Sequence, residues 1–367
     1  MKVFITNRIP DEIIKKYKKN FEVDYNDSLE FLSKEELKTR IKDAEALVCP
    51  LSEKIDSEII DAANNLKIIA NYGAGFDNVD INYAKEKGII VTNAPASAST
   101  KSTAELTFGL IIDLLRNITK MNSDCYDDSF EGWKPVYGLG ETLQGKTLGI
   151  IGLGRIGTEV MRKAKAFDMD VIFYNRSKKE VEGAKQVDLD FLLENSDVIT
   201  LHTAYSDELH HLIDAKALSK MKKTAFLINA SRGKVISEKD LIDALNDGEI
   251  SGCALDVYEF EPKISEGLRN AKNILLVPHL GNATKLARVQ MGEFTFDNIM
   301  QFKNGEIPKN KVFDVEELGS IRKCVNFTAR HNGDLNFDDC EKLKTLSEKI
   351  SESLPEQQQN DAPEMFM

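Results

Sequence analysis

The chain has 367 residues, 42% of them apolar, and a formal net charge of −12; this length exceeds one ordinary hydrophobic core and requires about two domains. The acidity argues against a nucleic-acid or anionic-membrane partner, because either needs Lys and Arg concentrated on one face, and it reads simply as solubility. The five cysteines, Cys49, Cys125, Cys253, Cys324 and Cys340, include no C-x-x-C pair, so reduced thiols and no metal site are expected.

Met1-Lys2-Val3-Phe4-Ile5-Thr6 holds one strand's worth of apolar residues rather than the longer apolar region of a signal peptide. No run approaches the roughly 20 apolar residues that span a bilayer, so a soluble, cytoplasmic protein is expected. Short apolar runs then alternate with longer amphipathic stretches, the pattern of parallel α/β architecture. Strands are expected at 3–6, 21–25, 46–49, 67–71 and 89–92, with helical patterns over 10–19 and 33–41 between them.

From 99 to about 127 one helical pattern places Leu106, Leu110, Ile111, Leu114, Leu115 and Ile118 on a single face. It is too long for an ordinary crossover and reads as the bridge to a second domain, with strands at 147–151, 171–174, 198–201, 225–228, 253–257 and 274–277. A further helical pattern over 284–302 carries the chain back. The expected class is α/β: two Rossmann-like, doubly wound parallel-sheet domains with an interdomain cleft. Residues 1–98 plus 284–318 form a discontinuous substrate domain, and 99–283 the dinucleotide-binding domain. Residues 319–367 are polar and lack apolar anchors, so a mobile tail with one helix between 338 and 354 is expected.

The second domain opens with Gly152-Leu153-Gly154-Arg155-Ile156-Gly157, a strand-like run before it and a helical pattern after it. In that context the first glycine permits a tight turn, the second lets backbone approach a pyrophosphate, and the third allows close helix–strand packing. At the end of the next strand, where an NAD-selective site would place Asp or Glu on the ribose, the chain reads Tyr174-Asn175-Arg176-Ser177-Lys178-Lys179. Arg176 and Ser177 suit a 2′-phosphate, so NADP(H) is expected in preference to NAD(H); the plainer alternative is a solvated basic loop.

Three polar residues then follow strand-like runs. Arg232, in Asn229-Ala230-Ser231-Arg232-Gly233, offers the planar fork that suits a carboxylate. His279, after Pro278 and before Leu280-Gly281, suits proton exchange near neutrality. Glu261 is placed to pair with His279 and raise its pKa, or to form a purely structural salt bridge. Of the other histidines, His210 and His211 read as surface residues, His331 lies in the tail, and His202 reads as packing near the cofactor. Reducing a 2-oxo acid requires a cation for the carboxylate, an acid for the alkoxide, and a tuner for that acid.

Together these motifs resemble the D-isomer-specific 2-hydroxyacid dehydrogenase family over about residues 45 to 315. The resemblance implies that Arg232 binds substrate, Glu261 supports the histidine and His279 is the acid/base. It also places Ala230, Asp256 and Gly281 in the cofactor site, the first two near the nicotinamide, and Thr203 near the adenosine. Asn71-Tyr72-Gly73-Ala74-Gly75-Phe76-Asp77-Asn78 matches the family's substrate loop, whose glycines expose backbone N–H groups, and Leu51 lines the same pocket. Gly132-Trp133 and the uncharged Asn175 look most like the glyoxylate and hydroxypyruvate reductase branch, including its 2-ketogluconate reductase relatives.

Two departures stand out: the stretch 93–103 is about one residue longer than the family's, and the tail after Leu318 has no counterpart. The tail is too short for a folded amino-acid-sensing domain, which lowers the phosphoglycerate reading. The expected activity is reduction of a small 2-oxo acid to the D-2-hydroxy acid. Phosphoglycerate, D-lactate or formate oxidation, or a cofactor-sensing corepressor role, are the alternatives. The apolar face of the helix from Ser99 implies a homodimer, unless the chain's own domains cover it.

Overall fold

The strands carry near-continuous apolar runs because both faces of each parallel sheet are covered by helices. The computed structural model describes residues 1–313, and they fall into two units: Met1–Ala96 with the chain from Arg288 onward, and Ser97–Ala287.

In the first unit, β1 (Lys2–Ile5), β2 (Glu22–Tyr25), β3 (Ala46–Pro50), β4 (Ile68–Tyr72) and β5 (Ile90–Thr92) form a parallel sheet in the order β2-β1-β3-β4-β5. Phe4, Leu47, Ile69 and Val91 pack on one face against Leu37, Ile59, Ile60 and Ala84 of three short helices. Val3, Ile5, Val48 and Ile68 pack on the other against Ile13 and Tyr17 of the Asp11–Asn20 helix and Met291 and Ile299 of the Lys285–Lys303 helix. Strand order reverses between β1 and β3, so the carboxyl ends of those strands open a crevice where open α/β sheets take ligands.

The second unit begins with the Ser97–Arg116 helix. It continues through β6 (Thr147–Ile151), β7 (Asp170–Tyr174), β8 (Lys185–Gln186), β9 (Val198–Leu201), β10 (Phe226–Asn229), β11 (Gly252–Leu255) and β12 (Ile274–Leu276). Its sheet is parallel, in the order β12-β11-β10-β9-β6-β7-β8, with the reversal between β6 and β9. Asp188, Asp214, Ser237 and Ser265 each accept a backbone N–H at a helix start, which fixes where the crossovers begin. Among the described residues no helix is long and apolar enough to cross a membrane.

The single helix expected over 99–127 is broken. Asn117 takes a left-handed conformation with φ 55°, and a separate short helix, Ile118–Asn122, follows. Asp113 accepts hydrogen bonds from the N–H and hydroxyl of Thr119 at 2.7 and 2.5 Å, while the Asn117 side chain donates to the Leu139 carbonyl at 2.9 Å. These local bonds replace helix continuation. The apolar face of the Ser97–Arg116 helix is covered within its own unit, where Leu110, Ile111 and Leu115 join Leu148, Ile150 and Ile228 in one core. Exposed apolar side chains occur instead after the break, at Ile118, Tyr126, Phe130, Trp133, Val136 and Leu139, with Trp133 84% exposed. β8 was not expected either, since two residues carry no periodicity. The expected tail, with Cys324, Cys340, His331 and the 338–354 helix, lies outside the described residues.

Candidate active site

In the second unit every candidate residue follows the carboxyl end of a strand. Gly152, directly after β6, has φ +97°, and a Cβ there would sit 2.7 Å from the His202 carbonyl oxygen. At Gly157 a Cβ would lie 2.4 Å from the Gly152 carbonyl oxygen, so the Arg155–Ala166 helix packs on the turn only with glycine. Gly154, the residue capping that helix, differs: a Cβ would meet nothing within 4 Å. Two glycines are therefore required by packing, and the middle one leaves open space before the N–H groups of the first helical turn. Arg155 and Ile156 form that turn, with Ile156 packed against the core.

Across the sheet reversal, buried His202 Nδ1 and Thr203 Oγ1 have no partner, and Thr203 adjoins the Gly152 position. Burial pushes the His202 imidazole down to about 3, so it is neutral, and its Nε2 contacts the Thr200 hydroxyl. Orphaned polar atoms beside an open helix N-terminus fit the pyrophosphate and ribose of a dinucleotide.

After β7, Asn175 Oδ1 accepts the Leu153 N–H at 2.7 Å, and Lys179 Nζ donates to the Leu153 carbonyl at 2.6 Å. The 175–179 loop thus grips the glycine turn. Gln186 of β8 holds the loop in shape, donating to the carbonyls of Asn175 and Ser177 at 3.1 and 3.0 Å and accepting the Lys179 N–H at 2.7 Å. Nothing in the sequence pattern marks Gln186. Arg176 is exposed and pairs with exposed Glu208 at 3.3 Å, a contact weak enough for an anion to displace.

Beyond β10, fully buried Asn229 donates to the Arg232 carbonyl at 2.9 Å and accepts the N–H and hydroxyl of Ser231 at 3.0 and 2.8 Å. The turn carrying Ala230 and Arg232 is locked by this one side chain. Arg232 Nη1 donates to the Ser231 carbonyl at 2.9 Å. A Cβ on Gly233 would fall 1.9 Å from the Tyr258 carbonyl group, so the loops after β10 and β11 touch backbone to backbone.

After β11, buried Asp256 accepts the N–H groups of Leu280 and Gly281 at 2.5 and 2.8 Å, although burial raises its carboxyl above the usual range. This holds the chain past β12, where His279 takes a left-handed φ of 53°. His279 Nδ1 lies 2.7 Å from Glu261 Oε1, both side chains about one-third exposed. His279 and Glu261 are thus in contact, and Arg232 stands at the same end of the neighbouring β10.

His211, expected at the surface, is partly covered and pairs with Glu259 at 2.8 Å. Glu259 and Glu238 accept each other's backbone N–H at 3.1 and 2.7 Å. That brace ties the loop carrying Glu261 to the Glu238–Asp247 helix. It joins residues 21 apart, which no local pattern reveals.

In the first unit, the loop after β4 is packed from below by Leu51, which lies 2.4 Å from where a Gly73 Cβ would be. Its three successive carbonyls are all tied back. Gly73 accepts the Ala94 N–H, Ala74 the Asn93 amide and Gly75 the Asn71 amide, each at 2.7 Å. Asn93 is itself held by Asn298, and Asn71 accepts from Asn78. With these carbonyls engaged, each planar peptide sets the following N–H, of Ala74, Gly75 and Phe76, opposite to its bonded carbonyl. Tyr72 is buried and donates its hydroxyl to the Arg288 carbonyl at 2.5 Å.

At the β1/β3 reversal, Glu53 is only 5% exposed and contacts the Thr6 hydroxyl. Glu53 Oε1, Asn7 Nδ2 and Asn78 Oδ1 are buried without partners, and burial pushes the Glu53 carboxyl up to about 7.

Comparison with known proteins gives concordant results. Residues 108–281 match the family model described as D-isomer specific 2-hydroxyacid dehydrogenase, NAD binding domain. Over 312 residues the chain is 49% identical to a Staphylococcus haemolyticus protein assigned as a 2-hydroxyacid dehydrogenase, covering 84% of this chain and 98% of that protein.

Among solved structures, a Thermus thermophilus protein superposes with TM-score 0.81 at 35% identity, over 85% of this chain and 100% of the other. An Aquifex aeolicus D-lactate dehydrogenase complexed with NAD and lactic acid gives TM-score 0.75 at 31% identity, over 85% and 98%. An NADPH-dependent glyoxylate/hydroxypyruvate reductase from Sinorhizobium meliloti gives TM-score 0.75 at 28% identity, over 86% and 98%.

Proposed function

The chain belongs to the D-isomer-specific 2-hydroxyacid dehydrogenase family, and on that premise we propose that it reduces a small 2-oxo acid, of the glyoxylate or hydroxypyruvate type, to the D-2-hydroxy acid. The observation that carries this reading is the 2.7 Å contact between His279 Nδ1 and Glu261. With Nδ1–H donated to a carboxylate, the imidazole is fixed in orientation and Nε2 is the nitrogen left to exchange a proton with substrate.

A bound nicotinamide dinucleotide supplies the hydride to the carbonyl carbon. Arg232 binds the substrate carboxylate and polarises the carbonyl oxygen, and His279 Nε2 delivers its proton to that oxygen as negative charge develops there. The N–H groups of the 73–76 loop bind the substrate carboxylate, with Leu51 and Tyr72 shaping the apolar side. Asp256, by fixing Leu280 and Gly281, keeps the His279 backbone in its left-handed turn. Gly152, Gly154, Arg155, Ile156 and Gly157 take the pyrophosphate, Thr203 the adenosine end, and Ala230, Asp256 and Gly281 border the nicotinamide.

NADP(H) is the proposed coenzyme. Asn175 brings no negative charge to the ribose position, Lys179 is held on the Leu153 carbonyl, and Arg176 is exposed within the same loop. A homodimer is also proposed, its support now being the exposed apolar stretch from Tyr126 to Leu139 rather than the Ser97–Arg116 helix. Steady-state assay of a panel of 2-oxo acids with NADPH and NADH tests the reading. Turnover of glyoxylate or hydroxypyruvate with NADPH favoured is expected, and preference for NADH would refute the coenzyme assignment.

A further inference from the structure

Arg288 is a shielded cation without a counter-ion. It lies in the first turn of the Lys285–Lys303 helix and belongs to the first unit. The Tyr72 hydroxyl, at the end of β4, reaches the Arg288 carbonyl at 2.5 Å, whereas Lys303 at the other end of the helix reaches the Asn20 carbonyl at 3.0 Å. Asn20 closes the helix that precedes β2, so the helix start, and Arg288 with it, stands at the carboxyl end of the sheet, the side that carries the 73–76 loop.

Among the described residues no carboxylate pairs with the Arg288 guanidinium, and its electrostatic neighbour is the Tyr72 phenol. That phenol is neutral, because burial raises it far above the physiological range. Burial also lowers the guanidinium from its usual value, yet arginine does not shed its proton near neutrality. Desolvation of a charge with no partner is a standing cost unless an acceptor arrives.

The substrate's own carboxylate already has the 73–76 amides. The Arg288 main chain is set apart from them by the length of the Tyr72 side chain, whose backbone begins the loop and whose hydroxyl meets the Arg288 carbonyl, and the guanidinium lies within electrostatic reach of the same phenol. We propose that Arg288 is a specificity-determining residue that recognises a hydrogen-bond-accepting group, hydroxyl or carboxylate, on C3 of the 2-oxo acid. The assignment rests on the reductase reading above and narrows its substrate class to acids with a polar third carbon.

The test is the selectivity of Arg288→Ala and Arg288→Lys for hydroxypyruvate and oxaloacetate, which carry such a group, over glyoxylate and pyruvate, which do not. The ratio of kcat/KM between the two pairs should fall roughly 10- to 100-fold in Arg288→Ala, as expected for losing a charged hydrogen bond, mainly through KM, and recover in part in Arg288→Lys. An unchanged ratio in Arg288→Ala, with NADPH affinity and circular dichroism as in the parent, overturns the proposal. Failure of the parent protein to turn over any of the four acids refutes the reductase reading itself, a different result from an unchanged ratio.

Discussion

At the scale of single residues, burial sets which groups titrate with folding. Glu53 has its carboxyl raised from 4.5 to about 7 by burial. The folded state therefore holds more protons than the unfolded state between those values. Stability from the protonated form is full below the unfolded pKa and is lost as pH rises to 7, a change on the order of 3 kcal/mol. His202 acts in the opposite sense: its imidazole is lowered from 6.5 to about 3, so its contribution is full above 6.5 and is lost as pH falls. Glu53→Gln should raise Tm at pH 8 and, by removing the Glu53 titration while leaving that of His202, make stability rise with pH between 5 and 6.5; thermal melts across that range check it, and a pH dependence unchanged from the parent would place the titration elsewhere.

Glu53 carries no mark in the sequence, and His202 reads there only as packing near the cofactor. Glu53 meets Thr6 across 47 positions, and isolated polar residues beside strands carry no mark of such a partner. The positions of Arg232, Glu261 and His279 were legible because each lies in the loop that follows an apolar strand-like run of a parallel sheet, where ligand-facing loops begin.

At the scale of elements, loops are fixed by side-chain amides rather than by their own composition. Asn71 and Asn93 hold the Gly75 and Ala74 carbonyls, so Asn93→Ala should free one carbonyl and misalign the loop proposed to bind the substrate carboxylate. A rise of about tenfold in KM for the 2-oxo acid is expected, with NADPH affinity and Tm little changed. Equal losses in coenzyme binding would instead indicate general unfolding. Asn175→Asp keeps an acceptor for the Leu153 N–H while adding a charge beside the ribose position. It should shift kcat/KM toward NADH by about tenfold or more, and preference retained for NADPH would dissociate Asn175 from coenzyme choice.

Strand positions were readable from apolar runs, since both sheet faces are covered. The break at Asn117 and the strand β8 were not, because the first depends on Asp113 and Leu139 bonds and the second is too short to show a period.

At the scale of the whole molecule, two parallel sheets emerge from one alternating pattern. The first has its strand-order reversal at β1/β3, the second at β6/β9, and each reversal carries buried polar atoms without partners. Tyr126, Phe130, Trp133, Val136 and Leu139 stand exposed close together in sequence, and exposed apolar side chains grouped in this way are the support for the proposed dimer. Sedimentation of the parent at micromolar concentration should give a dimer, and Trp133→Asp should weaken it; a monomeric parent contradicts the assignment.

In the proposed reaction His279, oriented by Glu261, protonates the product alkoxide. The most direct test of that step is kcat for hydroxypyruvate reduction by His279→Ala beside the parent protein. A fall of roughly a hundredfold or more, with NADPH affinity retained, is the predicted result; turnover equal to that of the parent would contradict it.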